Sequence, residues 1–275
     1  MSVPTTTTST TQFAQQMRID VVQQIFEAGS GHPGGSLSCV DLLACVFCTR
    51  MDREAILEDR PDRNHFILSK GHAAPALYAA LVGAGVIKRE ELAGLRQLGS
   101  RLQGHPDRSR LRAVEMSTGS LGQGLSVGAG LAWQLRQQGS KGTTFVLLGD
   151  GELDEGQIWE AIGLAAAQRL TNLVALVDLN GIQNDGRVED ILDLRPYPEK
   201  FRAFGWRARE IDGQAHDQIL AALDWAESPG THPAVILART TKGSGVSFME
   251  DRPEWHSHGL SWEQLVSAVQ ELEAP

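Results

Sequence analysis

Cysteine, basic charge and long apolar runs are all scarce in this sequence, and each scarcity excludes something. Its three cysteines, Cys39, Cys45 and Cys48, are too few and too clustered for a disulfide framework. A reducing, cytoplasmic compartment is the simpler reading. Cys45 and Cys48 form a C-x-x-C, but it lies inside the apolar stretch DLLACVFC with no second pair. They read as small core side chains. Acidic residues outnumber basic ones, 34 to 25, for a net charge of −9. That balance argues against nucleic acid or an anionic membrane surface as a partner. No apolar run approaches the roughly 18–20 residues needed to span a bilayer. The opening MSVPTTTTSTTQF has no basic stretch followed by an apolar core. Residues 1–11 therefore read as a disordered leader and not as a signal peptide.

What the sequence does hold is apolar periodicity. Residues 12–28 carry a helical pattern, followed by the turn cluster SGHPGGS and a second apolar helix near 40–51. HFILS (65–69) reads as a short strand running into the small-residue helix of GHAAPALYAALVGAG. Residues 101–119 are polar and loop-like, and a Gly/Ala/Leu-rich helix runs from Ser120 to about Gln138. TTFVLLGD (143–150), NLVALVD (172–178) and AVILART (234–240) read as buried strands, with a helix at about 155–169 and a last one at 262–273. Apolar strands alternating with helices predict an α/β fold, a parallel sheet with helices on both faces. No linker divides residues 12–275, which read as a single domain. The segments 191–200 and 242–262 read as long Pro- or Gly-bearing loops, a length at which loops are often functional.

One constellation carries chemistry. Gly149-Asp150-Gly151 follows one strand and Asn180-Gly181-Ile182 follows the next. In a parallel sheet, ligands collect beyond the carboxyl ends of the strands. Asp150 and Asn180 can converge there and offer hard oxygen ligands of the kind Mg²⁺ prefers, alongside phosphate oxygens and water. The flanking glycines let backbone approach a diphosphate, and nearby helix N-termini add N–H donors.

At these residues the sequence resembles the transketolases. GDGELDEGQIWEA and NLVALVDLNGIQNDG are similar to the thiamine-diphosphate motif as that family carries it. SGHPGGSLS, FILSKGHAAPALYAAL, LQGHPD, STGSLGQGLSVG, TTKGSGVSFME and EWH resemble transketolase segments in the same order. STGSLGQGLS and PEWH are similar in style to the N-terminal subunits of split transketolases. The fold implied is the thiamine-diphosphate-binding fold of the diphosphate (PP) type.

The resemblance implies roles. Asp150, Asn180 and the carbonyl of Ile182 would bind the metal, expected as Mg²⁺ with Ca²⁺ or Mn²⁺ as substitutes. Gly151 would lie against the diphosphate of thiamine diphosphate, and Glu152 would belong to the cofactor-binding set. Gly119 and Leu121 would contact the aminopyrimidine, and Ser120 between them would belong to the cofactor-binding set. His32, His105 and His256 would face substrate hydroxyls and move protons. His72 and His256 would approach the diphosphate. Imidazole suits this work because its ordinary pKa lies near neutrality. In WHSHGL, His258 competes with His256 for the late-loop position. Glu155 and Glu160 would lie near the subunit interface and link two active sites in a proton relay, against the plain reading of a solvated acidic first turn. Asp154 and Asn184 depart from the family pattern, which has an uncharged and an apolar residue there.

The implied activity is transfer of a two-carbon ketol unit from a ketose (phosphate) donor to an aldehyde acceptor. The glutamate that activates the aminopyrimidine belongs to a domain that follows this one in full-length transketolases. The expected partner is therefore a C-terminal transketolase-like subunit in an α₂β₂ assembly, without which the chain is silent. Three alternatives stand beside this. One is a different thiamine-diphosphate enzyme, such as a deoxyxylulose-phosphate synthase or a 2-oxo acid dehydrogenase subunit. Another is a specialised pair acting on a non-sugar acceptor in secondary metabolism. The last is a non-catalytic cofactor-binding partner.

Overall fold

The computed structural model describes residues 7–274. The chain runs α1 (Thr7–Ala28), α2 (Pro33–Leu37), α3 (Val40–Thr49), α4 (Arg53–Leu57), β1 (His65–Leu68) and α5 (Ala74–Gly83). It continues through α6 (Gln123–Gln137), β2 (Thr144–Gly149), α7 (Gly156–Ala167), β3 (Leu173–Leu179), α8 (Val188–Ile191) and α9 (Tyr197–Ala203). It closes with β4 (Arg207–Asp212), α10 (His216–Glu227), β5 (Ala234–Arg239) and α11 (Trp262–Glu273).

The five strands form one sheet in the order β1-β2-β3-β5-β4, with every pairing parallel. Its central strands are buried on both faces, which is why they read as unbroken apolar runs. Phe145, Leu147, Val174, Leu176 and Ile236 point to one side, into a core built with α1, α3, α5 and α10. Val146, Leu148, Ala175, Val177, Val235 and Leu237 point to the other, against α6, α7 and α9. After β3 the chain skips a place to lay down β4 and returns to insert β5. The strand order thus reverses beside β3, the usual place for a ligand crevice.

Several boundaries differ from expectation. Residues 7–11, assigned above to a disordered leader, are the first turns of α1, and Thr10 is buried with its hydroxyl 2.8 Å from His216 Nδ1. Residues 1–6 lie outside the described residues. The SGHPGGS turn contains α2, whose Pro33 sits in the first helical turn, where a missing N–H costs nothing. The expected helix from Ser120 starts at Gln123, because Gly122 caps it at φ +84°. The 191–200 loop is broken by α9, and Pro253–His256 forms a 3₁₀ turn within 242–262. All three cysteines are buried and free, as core side chains should be.

Candidate active site

The parallel register sets Gly149 beside Asp178, so the segments leaving β2 and β3 emerge together. Asp150 accepts the Gly151 N–H at 2.8 Å and the Gly181 N–H at 2.5 Å. Asn180 Oδ1 accepts the Ile182 N–H at 3.1 Å. Asp150, Gly151, Glu152, Asn180 and Ile182 line one narrow cleft of about 110 Å³, together with Leu121, His72 and His256. Burial, and then the neighbouring Asp178 carboxylate, push the Asp150 carboxyl up to about 6.

The same cleft holds Lys242, a residue that sequence reasoning missed. Its side chain is buried, and its ammonium donates to the Ile182 carbonyl at 2.8 Å and to His256 Nδ1 at 2.9 Å. Burial, followed by Lys70, lowers its pKa to about 8. Among the described residues, neither Asp150 nor Lys242 is in an ion pair. One cleft thus holds a buried carboxylate without a cation and a buried ammonium without an anion.

A second missed feature reaches the cleft wall through Lys70. Lys70, at the end of β1, and Asp178, in β3, form an ion pair at 2.5 Å with almost no exposure. Asp178 also accepts from Ser38 Oγ at 2.6 Å, Asn180 Nδ2 at 3.1 Å and the Thr240 hydroxyl. Burial opposes its charge, but Lys70 and these donors outweigh it and hold the carboxyl below its ordinary value. One carboxylate therefore ties α2, β1, β3 and β5 together and orients Asn180. Glu152 is a similar tie. Its carboxylate accepts from Ser69 Oγ at 2.5 Å, Gly122 N at 2.9 Å and Gly149 N at 3.1 Å. It touches the cleft wall, but its oxygens are committed to holding loops.

The four histidines converge from four separate loops. The His32 ring centroid lies 5.5 Å from His72, 5.9 Å from His105 and 5.6 Å from His256, and His72 lies 5.2 Å from His256. His256, and not His258, belongs to the cluster; His258 is exposed and stacks near Trp255 at 4.9 Å. Burial and the nearby cations hold His32 down to about 4 and His256 to about 3, and lower His72 and His105 as well. At neutral pH the cluster is uncharged, so its rings can exchange protons with hydroxyls.

The remaining candidates are placed less closely. Gly119, at φ +146°, packs against the His105 ring, where a Cβ would come within 3.2 Å. Leu121 lines the cleft, whereas Ser120 is exposed. Glu155 and Glu160 are exposed at the start of α7 and do not line the cleft. Asp154 accepts from Gln183 Nε2 at 3.2 Å, and Asn184 lies in the cleft wall.

Residues 9–272 match the family described as transketolase, thiamine diphosphate binding domain. The chain belongs to that family. It is 40% identical over 260 residues to the 6-deoxy-6-sulfo-D-fructose transketolase subunit of Clostridium sp. (strain MSTE9), covering 94% of each chain. It is 36% identical to an apulose-4-phosphate transketolase subunit of Phocaeicola vulgatus, covering 94% of this chain and 92% of that one. The solved transketolase from Leishmania mexicana superposes with a TM-score of 0.87 at 28% identity, over 96% of this chain and 41% of that one. The chain thus spans nearly the whole of those two subunits and about two fifths of the Leishmania mexicana transketolase chain.

Proposed function

We propose that this chain is the cofactor-holding subunit of a two-subunit transketolase, binding thiamine diphosphate with a divalent cation and moving a two-carbon ketol unit from a ketose to an aldehyde. The observation that carries the reading is one cleft lined by both the buried Asp150 carboxylate and the buried Lys242 ammonium, neither of them in an ion pair among the described residues. A cation beside the first and a diphosphate beside the second would neutralise both. Among the described residues no cluster of three His, Cys, Asp or Glu side chains could hold a metal by itself. A site made of one carboxylate, one amide oxygen and one carbonyl fits a hard cation that takes its other ligands from phosphate and water, so Mg²⁺ is the expected ion, with Ca²⁺ or Mn²⁺ as substitutes.

In this reading Asp150, Asn180 and the Ile182 carbonyl hold the cation. Lys242 donates to that same carbonyl at 2.8 Å, and its ammonium would hold the diphosphate. Bound thiamine diphosphate would supply the carbanion chemistry that cleaves and remakes the carbon–carbon bond. His32, His105 and His256 face the substrate hydroxyls and hold or move their protons, while His72 lies against the diphosphate side. Gly119 and Leu121 would hold the aminopyrimidine, Ser120 between them would support that contact, and Glu155 and Glu160 would serve a subunit interface.

A second polypeptide is supported by the names of the relatives, themselves separate subunits, that this chain covers almost end to end. Those relatives are named for different sugars, which fits substrate reading by groups outside this chain. An α₂β₂ assembly and a cytoplasmic setting complete the proposal. The latter is supported by three free buried thiols and by the lack, among the described residues, of any helix able to cross a membrane. The test is a ketol-transfer assay on the complex isolated from its own cells through a tag on this chain. Two-carbon transfer from a ketose phosphate, lost in Asp150→Ala, supports the proposal. Full transfer by this chain alone, or by the Asp150→Ala complex, overturns it.

A further inference from the structure

His32 does not stand free in the histidine cluster. Arg96, on the segment between α5 and α6, places Nη2 3.3 Å from His32 Nδ1 and Nη1 2.9 Å from Ser30 Oγ, so its guanidinium spans the loop that carries His32. The arginine is held there by its surroundings. Its backbone has φ +60°, a region that side chains other than glycine seldom adopt. Its N–H is tied to the Leu102 carbonyl at 2.9 Å. Gly104, next to His105, leaves room for it; a Cβ there would lie 2.8 Å from Arg96 Nε.

A guanidinium has only donors and stays charged throughout the pH range of folded proteins. A ring nitrogen facing it must therefore accept. We propose that Arg96 is a positioning residue that holds Nδ1 of His32 as an acceptor and so fixes the neutral ring with its proton on Nε2. The nitrogen left for the cleft is then an N–H. His32 donates a hydrogen bond to a substrate oxygen and does not act as the base at that atom. Proton acceptance falls to a ring such as His105, whose nitrogens no guanidinium holds. The catalytic use of the His32 donor rests on the ketol-transfer reading above; the tautomer does not.

Around His32 stand His72, His105, His256, Lys70, Lys242 and Arg96, all neutral or cationic. Each of these charges opposes protonation of the ring and none favours Nδ1–H. The test is a long-range ¹H–¹⁵N correlation spectrum of the ¹⁵N-histidine-labelled full chain, with His32 assigned by His32→Gln. The expected wild-type signature is a protonated Nε2 and an unprotonated Nδ1, unchanged between about pH 8 and pH 6. Arg96→Met should give a tautomer mixture and a higher onset of protonation, with Arg96→Lys restoring the wild-type pattern. A wild-type ring protonated on Nδ1 overturns the proposal, even if Arg96→Met does not fold. So does an Arg96→Met spectrum with the His32 pattern unaltered. Neither substrate nor partner enters the measurement, so its failure is separate from failure of the ketol-transfer assay.

Discussion

Asp150 should destabilise the unliganded chain that carries it. Its carboxyl lies near 6 in the folded protein against an ordinary 3.8. A displacement of one pH unit is worth about 1.4 kcal/mol, so the ionised form costs the fold about 3 kcal/mol. The sign follows from proton counting. Between 3.8 and about 6 the folded chain binds more protons at this site than the unfolded chain, so stability falls as pH rises. The penalty is absent below 3.8 and complete above about 6. Asp150→Asn cannot ionise, although it can accept only one of the two peptide N–H bonds from Gly151 and Gly181. That loss is a constant offset of about 1–3 kcal/mol. The informative quantity is therefore the pH dependence of the difference between the two proteins. Urea unfolding in EDTA should show the variant gaining about 2 kcal/mol over wild type between about pH 4.5 and pH 7.5. A flat difference across that range would refute the desolvation argument. Adding Mg²⁺ and thiamine diphosphate at about one hundred times their Kd should then stabilise wild type by about 2.7 kcal/mol and leave the variant unmoved.

Lys242→Met should lose about tenfold or more in thiamine diphosphate affinity, as expected for a charge-assisted bond of about 1.5–3 kcal/mol, without loss of unfolding free energy. Cofactor affinity should follow a bell in pH: Asp150 takes up a proton below about 6 and releases the cation, and Lys242 sheds its charge above about 8. Titrations by tryptophan fluorescence at several pH values read both limbs. Asp178→Ala should cost about 3–5 kcal/mol in urea unfolding, because it strands the buried Lys70 ammonium. Gly128→Ala should cost about 1–3 kcal/mol, since its Cβ would lie 2.4 Å from Val146 Cγ2 where α6 meets β2.

The parts legible in the sequence are those with a local signature. β2, β3 and β5 announce themselves because burial on both faces demands unbroken apolar runs. Asp150 and Asn180 follow directly from the ends of two of them. β4 is hidden because it is an edge strand: Arg209 and Glu210 face solvent, and their charges mask the pattern. α2 is hidden by its glycines and proline, which usually mark turns. Asp178 and Lys70 each look like an ordinary charge closing an apolar strand. Only the sheet order brings them together, although two opposite charges closing two apolar strands are a signal worth reading. Lys242 and Arg96 lie in loops, where no periodicity says which way a side chain points. The same lack of periodicity left His256 and His258 equivalent until the 253–256 turn placed one inward.

The most direct measurement is a calorimetric titration of thiamine diphosphate into the complex that carries this chain, with Mg²⁺ and then with EDTA. One cofactor bound per copy of the chain, lost in EDTA and lost again in Asp150→Ala, is the expected result. Stoichiometric binding that survives both EDTA and Asp150→Ala contradicts the assignment of this cleft.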